Sequence, residues 1–143
     1  MANKYKTLVH EWFGEVWNKR DAGAIDRLLG ARTLVHGISD ASGGPVRGSA
    51  GFKAFHRQFL DAFPDLKVKV LDTVCEGDKI VARCVVTGKH AGGGLGFPAT
   101  NKDVEFTGMC LARIKQGKIV EAWNSFDFLT LHQQMGTVKL VAG

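Results

Sequence analysis

The apolar positions of this chain change their period once. Over residues 3–19, Leu8, Val9, Trp12, Phe13, Val16 and Trp17 recur at the 3.6-residue spacing of an amphipathic helix. Asp21 is placed to cap a short second helix over 22–29, with Ile25, Leu28 and Leu29 inward and Gly30 as its stop. Residues 33–37, TLVHG, read as a short strand. The segment 38–48, rich in Gly, Ser, Asp and Pro, reads as a loop of the kind that forms lids or mouths. Ser49 opens a third helix that runs to about residue 62 and is stopped by Pro64. Phe52, Phe55, Phe59 and Phe63 share one of its faces. From Leu66 onward the period becomes two. Residues 66–75 and 80–90 alternate as strands around a turn at Glu76-Gly77-Asp78-Lys79.

The last two strands, within 104–128, form a hairpin closed at Lys115-Gln116-Gly117-Lys118. A type I turn with a left-handed Gly117 would pair Ile114 with Lys118. Leu111 then faces Glu121, Met109 faces Trp123, Thr107 faces Ser125 and Glu105 faces Asp127. Side chains alternate across a strand, so these residues share a face. An apolar wall carrying one acid is how small-molecule pockets are built, which makes that face the expected pocket wall. The other face carries Val104, Phe106, Cys110, Ile114, Val120, Ala122, Phe126 and Phe128. It is too apolar to stay wet, and is expected to be buried in a homodimer.

Helices first and antiparallel strands last give an α+β chain of one domain, 1–143. The helices would cover one face of a strongly curved antiparallel or mixed sheet. The sheet and the third helix would enclose a conical cavity.

Composition narrows the function. The chain has 143 residues, 45% hydrophobic and 23% charged, with a formal net charge of +5. Its Lys and Arg are scattered, with no basic run interleaved with aromatics, so nucleic-acid binding is not expected. No apolar run approaches a membrane span, and the first residues lack the pattern of a secretory signal. Cys75, Cys84 and Cys110 lie inside strand patterns and outside any CxxC, which fits buried free thiols and a cytoplasmic setting.

Several residues are candidates for chemistry. His36, between apolar residues and a glycine, fits either a proton carrier in a pocket or a structural histidine. His56 lies on or beside the phenylalanine face of the third helix. His90 opens the glycine-rich stretch AGGGLGFPATNK. That stretch lacks the GK[ST] and following helix of a phosphate loop, and reads as a flap over a pocket. Trp12 and Trp17 could line a pocket, although an aromatic stripe at helical spacing is usually core.

Five stretches carry a resemblance over nearly the whole chain, from about Leu8 to Gly136: FGEVWNKRDAGAIDRLL followed by LVHG, then GPVRGSAGFKAF, AFPDLKVKV and GKIVEAWNSFDFLTLHQQMG. In this order they resemble the SnoaL-like polyketide cyclase (ester cyclase) family, within the cone-shaped nuclear transport factor 2-like (cystatin-like) superfamily. The resemblance implies that Asp127, near the end of the last strand, is the general acid/base of an aldol-type ring closure. A desolvated carboxyl group can remove a proton from carbon and deliver one to oxygen in turn. No metal and no cofactor are implied. The family's supporting polar positions fall approximately on Leu111 and Arg113, and Leu111 is apolar here.

The leading expectation is a small cofactor-free enzyme acting on a hydrophobic carbonyl compound. Asp127 and His36 would be catalytic, and Trp123, Met109, Leu111, Phe59, His90 and Thr107 would contact substrate. The alternative is a non-catalytic binding protein for a small apolar ligand. Epoxide hydrolysis is a third option. It usually wants a Tyr positioning water, and the one tyrosine, Tyr5, lies in the first helix.

Overall fold

The computed structural model describes residues 2–39 and 43–141, without the side chains of residues 2 and 3. Four helices pack against one six-stranded sheet. Helix α1 spans Ala2–Glu11 and continues as a wider π-helical segment, Trp12–Asn18. That segment buries Trp12, Phe13, Val16 and Trp17 together. Helix α2, Ala22–Leu28, starts as expected at Asp21, whose carboxylate accepts the Gly23 amide at 2.9 Å. Strand β1, Leu29–Ser39, is longer than the strand expected over 33–37. Residues 40–42 of the expected 38–48 loop lie outside the described residues, and Pro45–Arg47 within it forms strand β2.

Helix α3, Gly48–Ala62, begins before Ser49, so Ser49 is not its cap. Gly48 has φ +66, and a Cβ there would run into the Ala31 carbonyl of β1. A glycine is therefore needed where the chain turns from the sheet into the helix. Strands β3 (Lys67–Glu76), β4 (Lys79–Lys89), β5 (Asp103–Lys115) and β6 (Lys118–Phe126) follow, then helix α4, Phe128–Met135.

The sheet order is β2-β1-β6-β5-β4-β3. Every neighbouring pair is antiparallel except β1 with β6, which is parallel. The α+β architecture and the mixed, curved sheet are as the sequence predicts. A bulge between Val70 and Asp72 flips the end of β3. Thr73 and Cys75 therefore share the face of Val68 and Val70, and Asp72 and Val74 point the other way, against the simple alternation.

The β5–β6 hairpin differs from the expected register. Gln116 and Gly117 both have positive φ, 51° and 75°, so the turn is a two-residue type I′ closure that pairs Lys115 with Lys118. A bulge follows at Val120, between the Ile114–Ile119 and Arg113–Glu121 pairs. Beyond it Leu111 faces Trp123 and Met109 faces Ser125. Partners have slid by two residues, which preserves the grouping of faces because the side-chain period is two.

The direction of those faces is the larger correction. Val104, Phe106, Ala112, Ile114 and Ile119 are buried against the helices, with Cys110, Ala122 and Phe126 packed onto the same core. The face expected to bury itself in a dimer is the inner face of the sheet. The face expected to wall the pocket, with Met109, Leu111 and Trp123, is the outer one. The physical reason is that three helices with apolar stripes need a continuous apolar surface to cover, and only the first set supplies it. Phe63, fully buried at the end of α3, shows the scale. Burying one such side chain stabilises by about 1.5–3 kcal/mol.

Candidate functional site

A cavity of about 90 Å³ lies between the helices and the inner face of the sheet. The π-helical segment contributes Trp12, Phe13 and Trp17, and α3 contributes Phe52, Phe55 and Phe59. Trp17 meets Phe59 edge to face at 6.0 Å, Phe59 lies tilted 6.4 Å from Phe128, and Phe55 stacks on Phe59 at 5.5 Å. Phe106, Cys110, Ala122, Asn124 and Phe126 come from the hairpin. No carboxylate, histidine or basic side chain is among the described lining residues.

Among the described lining residues, Asn124 is the one with a side-chain amide. It stands on the inward face of β6 between Ala122 and Phe126. Its Nδ2 donates to the His36 carbonyl at 3.0 Å. That bond fixes the orientation of the amide and leaves Oδ1 and the second N–H for other partners. The neighbouring Gly37 has φ +86, and a Cβ there would collide with the Asn124 carbonyl. A glycine thus lets β1 come close enough for the Asn124 amide to reach the strand.

Cys84 and Cys110 both sit on the inner face. Burial pushes the Cys110 thiol up to about 11. Burial, with Cys110 beside it, pushes Cys84 up to about 12. Both stay protonated at neutral pH and are poor nucleophiles.

Phe59 is the residue among the expected site residues that lines the cavity. Asp127 does not enter it. Its flanking residues Phe126 and Phe128 do, but the Asp127 carboxylate is exposed and caps α4. It accepts the Thr130 amide at 3.0 Å and the Thr130 hydroxyl at 2.6 Å. These bonds hold its pKa below the ordinary carboxylate value, away from the raised value expected of a desolvated acid. The cause is helix geometry: a carboxylate at this position satisfies amides that the first turn leaves free.

His36 lies on the outer face. Its Nε2 is 2.8 Å from Glu121 Oε2, and its ring stacks on Trp123 at 5.3 Å with planes 16° apart. Arg113 reaches the other Glu121 oxygen at 3.7 Å and lies 5.8 Å over the Trp123 ring. Met109, 50% exposed, Leu111 and the exposed Thr107 share that outer face. His90 is fully buried at the start of the glycine-rich stretch, away from the cavity lining. Its Nδ1 accepts the Thr100 amide at 3.1 Å, so its proton sits on Nε2, which has no partner. His56 is buried as well, with Nε2 donating to the Val16 carbonyl at 2.6 Å.

The glycine-rich stretch lies against the last turns of α3. The Ala91 and Gly92 amides donate to the Ala62 carbonyl at 3.0 and 3.2 Å. A Cβ at Gly92 or Gly94 would collide with the Asp61 or Gln58 carbonyl. These two glycines therefore serve close packing on the helix as well as loop geometry.

Sequence reasoning missed Asn124. The available signal was its place as the lone polar side chain of the apolar hairpin face. From sequence that face reads as a subunit interface, and nothing in such a reading marks its polar member as a ligand group.

The SnoaL-like polyketide cyclase family model matches residues 7–135. The chain belongs to this family. Its fold is shared with TsrD from Streptomyces laurentii, at 26% identity and a TM-score of 0.82 over 95% of this chain and 97% of that one. IdmH from Streptomyces antibioticus, a proposed polyketide cyclase, is 28% identical, with a TM-score of 0.79 over 92% and 97% of the two chains. AclR from Streptomyces galilaeus, a proposed hydroxylase, is 27% identical, with a TM-score of 0.81 over 99% and 90%. No curated protein matches the chain. Neighbours with different assigned chemistries on one fold mean that the site, and not the fold, must carry the functional argument. Among the described residues, no helix is long and apolar enough to cross a membrane.

Proposed function

We propose that this SnoaL-like domain binds a small apolar molecule bearing a carbonyl or hydroxyl group, with Asn124 holding that oxygen. The observation that carries the reading is a cavity with an apolar wall and one oriented amide. Apolar contact supplies affinity, and one fixed polar group sets orientation. Size sharpens the ligand class. The cavity is about 90 Å³, whereas an apolar cavity that accepts benzene is roughly 150 Å³. A single small ring fits after modest widening, and a polycyclic molecule needs the mouth to open.

The test is a fluorescence titration with small cyclic ketones and phenols, read on Trp12 and Trp17 in the wall. Wild type is expected to saturate. Asn124→Leu, close in volume, should weaken binding by about tenfold, the worth of one hydrogen bond of about 1.4 kcal/mol. Equal affinity of the two proteins for every ligand that binds would overturn the anchor.

Family membership favours a second reading, acid/base catalysis of an aldol-type cyclization or a related isomerase or lyase step by Asp127. For that the carboxylate must exchange its Thr130 bonds for substrate. Asp127→Asn keeps a capping side chain and removes the base. Turnover of a bound ligand by wild type and not by this variant supports catalysis. Binding without turnover in both proteins leaves the ligand-binding reading.

A further inference from the structure

The π-helical segment Trp12–Asn18 is a rare form of backbone, and π turns are frequent at functional sites. Its effect on the cavity wall is direct. Trp12 and Trp17 are five residues apart, yet both lie against one ring of α3. Phe52 is 4.9 Å from Trp12 and 5.9 Å from Trp17, and all three line the cavity. A π turn closes on the fifth residue, so it sets positions five apart on one side. At the 100° per residue of an α-helix the same two positions would stand about 140° apart. One of the two indoles would then leave the wall.

The bonds at the end of the segment show what holds it. The Lys19 amide donates to the Gly14 carbonyl, five residues back, at 2.9 Å, and the Asp21 amide to the Glu15 carbonyl at 2.9 Å. Arg20 has φ +58, which turns the chain out of the helix. In an α turn the Arg20 amide would be the donor to the Val16 carbonyl. Val16 is fully buried, and its carbonyl takes a donor from α3 instead, His56 Nε2 at 2.6 Å. The His56 ring also lies 5.0 Å from Trp17. His56 stands between Phe52 and Phe59 on α3 but is not among the described lining residues. From the sheet, Val68 ties down Asn18 in a reciprocal pair of bonds at 2.9 and 2.7 Å.

We propose that His56 determines which ligands the cavity admits, by holding the Val16 carbonyl and with it the π register that keeps Trp12 and Trp17 both in the wall. This rests on the ligand-binding reading above. His56 is a positioning residue and acts through the two indoles. A buried carbonyl without a donor is costly. Without the His56 donor the segment relaxes toward ordinary α bonding, in which the Arg20 amide serves Val16. One indole then swings out of the wall, and the cavity widens from its present 90 Å³ or so toward the room that a second ring needs. With His56 in place the preferred ligand has one ring. Without it, fused two-ring phenols enter.

The test compares wild type with two variants. His56→Gln keeps an amide nitrogen that can donate at the same reach, and His56→Phe keeps a ring beside Trp17 and removes the donor. In NMR spectra both indoles should show NOEs to the Phe52 ring in wild type and His56→Gln, and one indole should lose them in His56→Phe. In calorimetric titrations the affinity for 2-naphthol relative to phenol should rise roughly tenfold or more in His56→Phe, the scale on which an apolar pocket discriminates size. It should keep the wild-type value in His56→Gln. An unchanged ratio in folded His56→Phe overturns the proposal. So does an equal change in His56→Gln, because lost packing and not the lost donor would then be the cause. If His56→Phe does not fold, His56→Leu takes its place, and failure of both overturns the proposal by making the bond a requirement of folding. The NOEs separate this inference from the reading it rests on. If they change as expected while neither phenol nor 2-naphthol binds any of the proteins, the ligand-binding reading falls and the selectivity with it. Changed NOEs with binding at an unchanged ratio leave that reading standing and sink the role of His56 alone.

Discussion

The two faces of the β5–β6 hairpin come from the same residues taken alternately, yet they do opposite work. The inner face is apolar and packed under helices, and it lines the cavity with one amide, Asn124. The outer face holds the groups that look like chemistry: His36 on Glu121, Arg113 over Trp123, and Met109 and Leu111 beside them. A histidine–carboxylate pair at 2.8 Å reads as a proton relay only if a substrate can reach it. Here the pair stands across the sheet from the cavity. Polar residues with catalytic precedent are thus poor guides until the direction of the face is known.

The widest separation between the faces should appear in stability. Phe59→Ala opens a hole in the inner aromatic cluster and should cost about 3–5 kcal/mol in urea unfolding. Met109→Ala, half exposed on the outer face, should change it by less than about 1 kcal/mol. Similar costs for both would break the assignment of faces.

Buried histidines give the next effect. Burial lowers the pKa of His56, and burial together with His132 lowers that of His90. The unfolded chain, with ordinary values near 6.5, therefore takes up protons first as pH falls. Their contribution is full above about pH 6.5 and is lost as pH drops toward the folded-state values. Urea midpoints should fall between neutral pH and pH about 5.5, and the fall should shrink in His56→Gln. A midpoint that rises on acidification would contradict neutral, buried rings.

Asp127 sits where the hairpin leaves the sheet, and two substitutions sharpen its role. Asp127→Ala should lower the thermal midpoint by a few degrees, whereas Asp127→Asn, which also caps, should lower it less. The depressed pKa adds a sign. The contribution of the ionised carboxylate is present above its unfolded value near 3.9 and is lost as pH falls through the lower folded value. A cap insensitive to acid in that window would argue against the Thr130 bonds.

The smallest effect belongs to the outer pair. A double-mutant cycle of His36→Ala and Glu121→Ala should give a coupling below about 1 kcal/mol, because both side chains remain partly solvated. A coupling of several kcal/mol would mean that the pair is desolvated.

Local pattern alone determined a good deal of this protein. The helical spacing of Trp12, Phe13, Val16 and Trp17, the Asp21 cap and the phenylalanine stripe of α3 act within a few turns of chain. Those signals, with the ordered family stretches, were enough for the α+β fold and the family. Alternation also grouped Leu111 with Trp123 and Cys110 with Ala122 correctly, because a two-residue slip leaves parity unchanged. Tertiary structure alone decided the rest. Which face turns inward depends on where three helices find apolar cover, and the bulges at Leu71 and Val120 depend on neighbouring strands. Whether Asp127 meets substrate or an amide depends on a helix that starts at the next residue. Period two says which side chains stand together, and only the packed layers say which way they face.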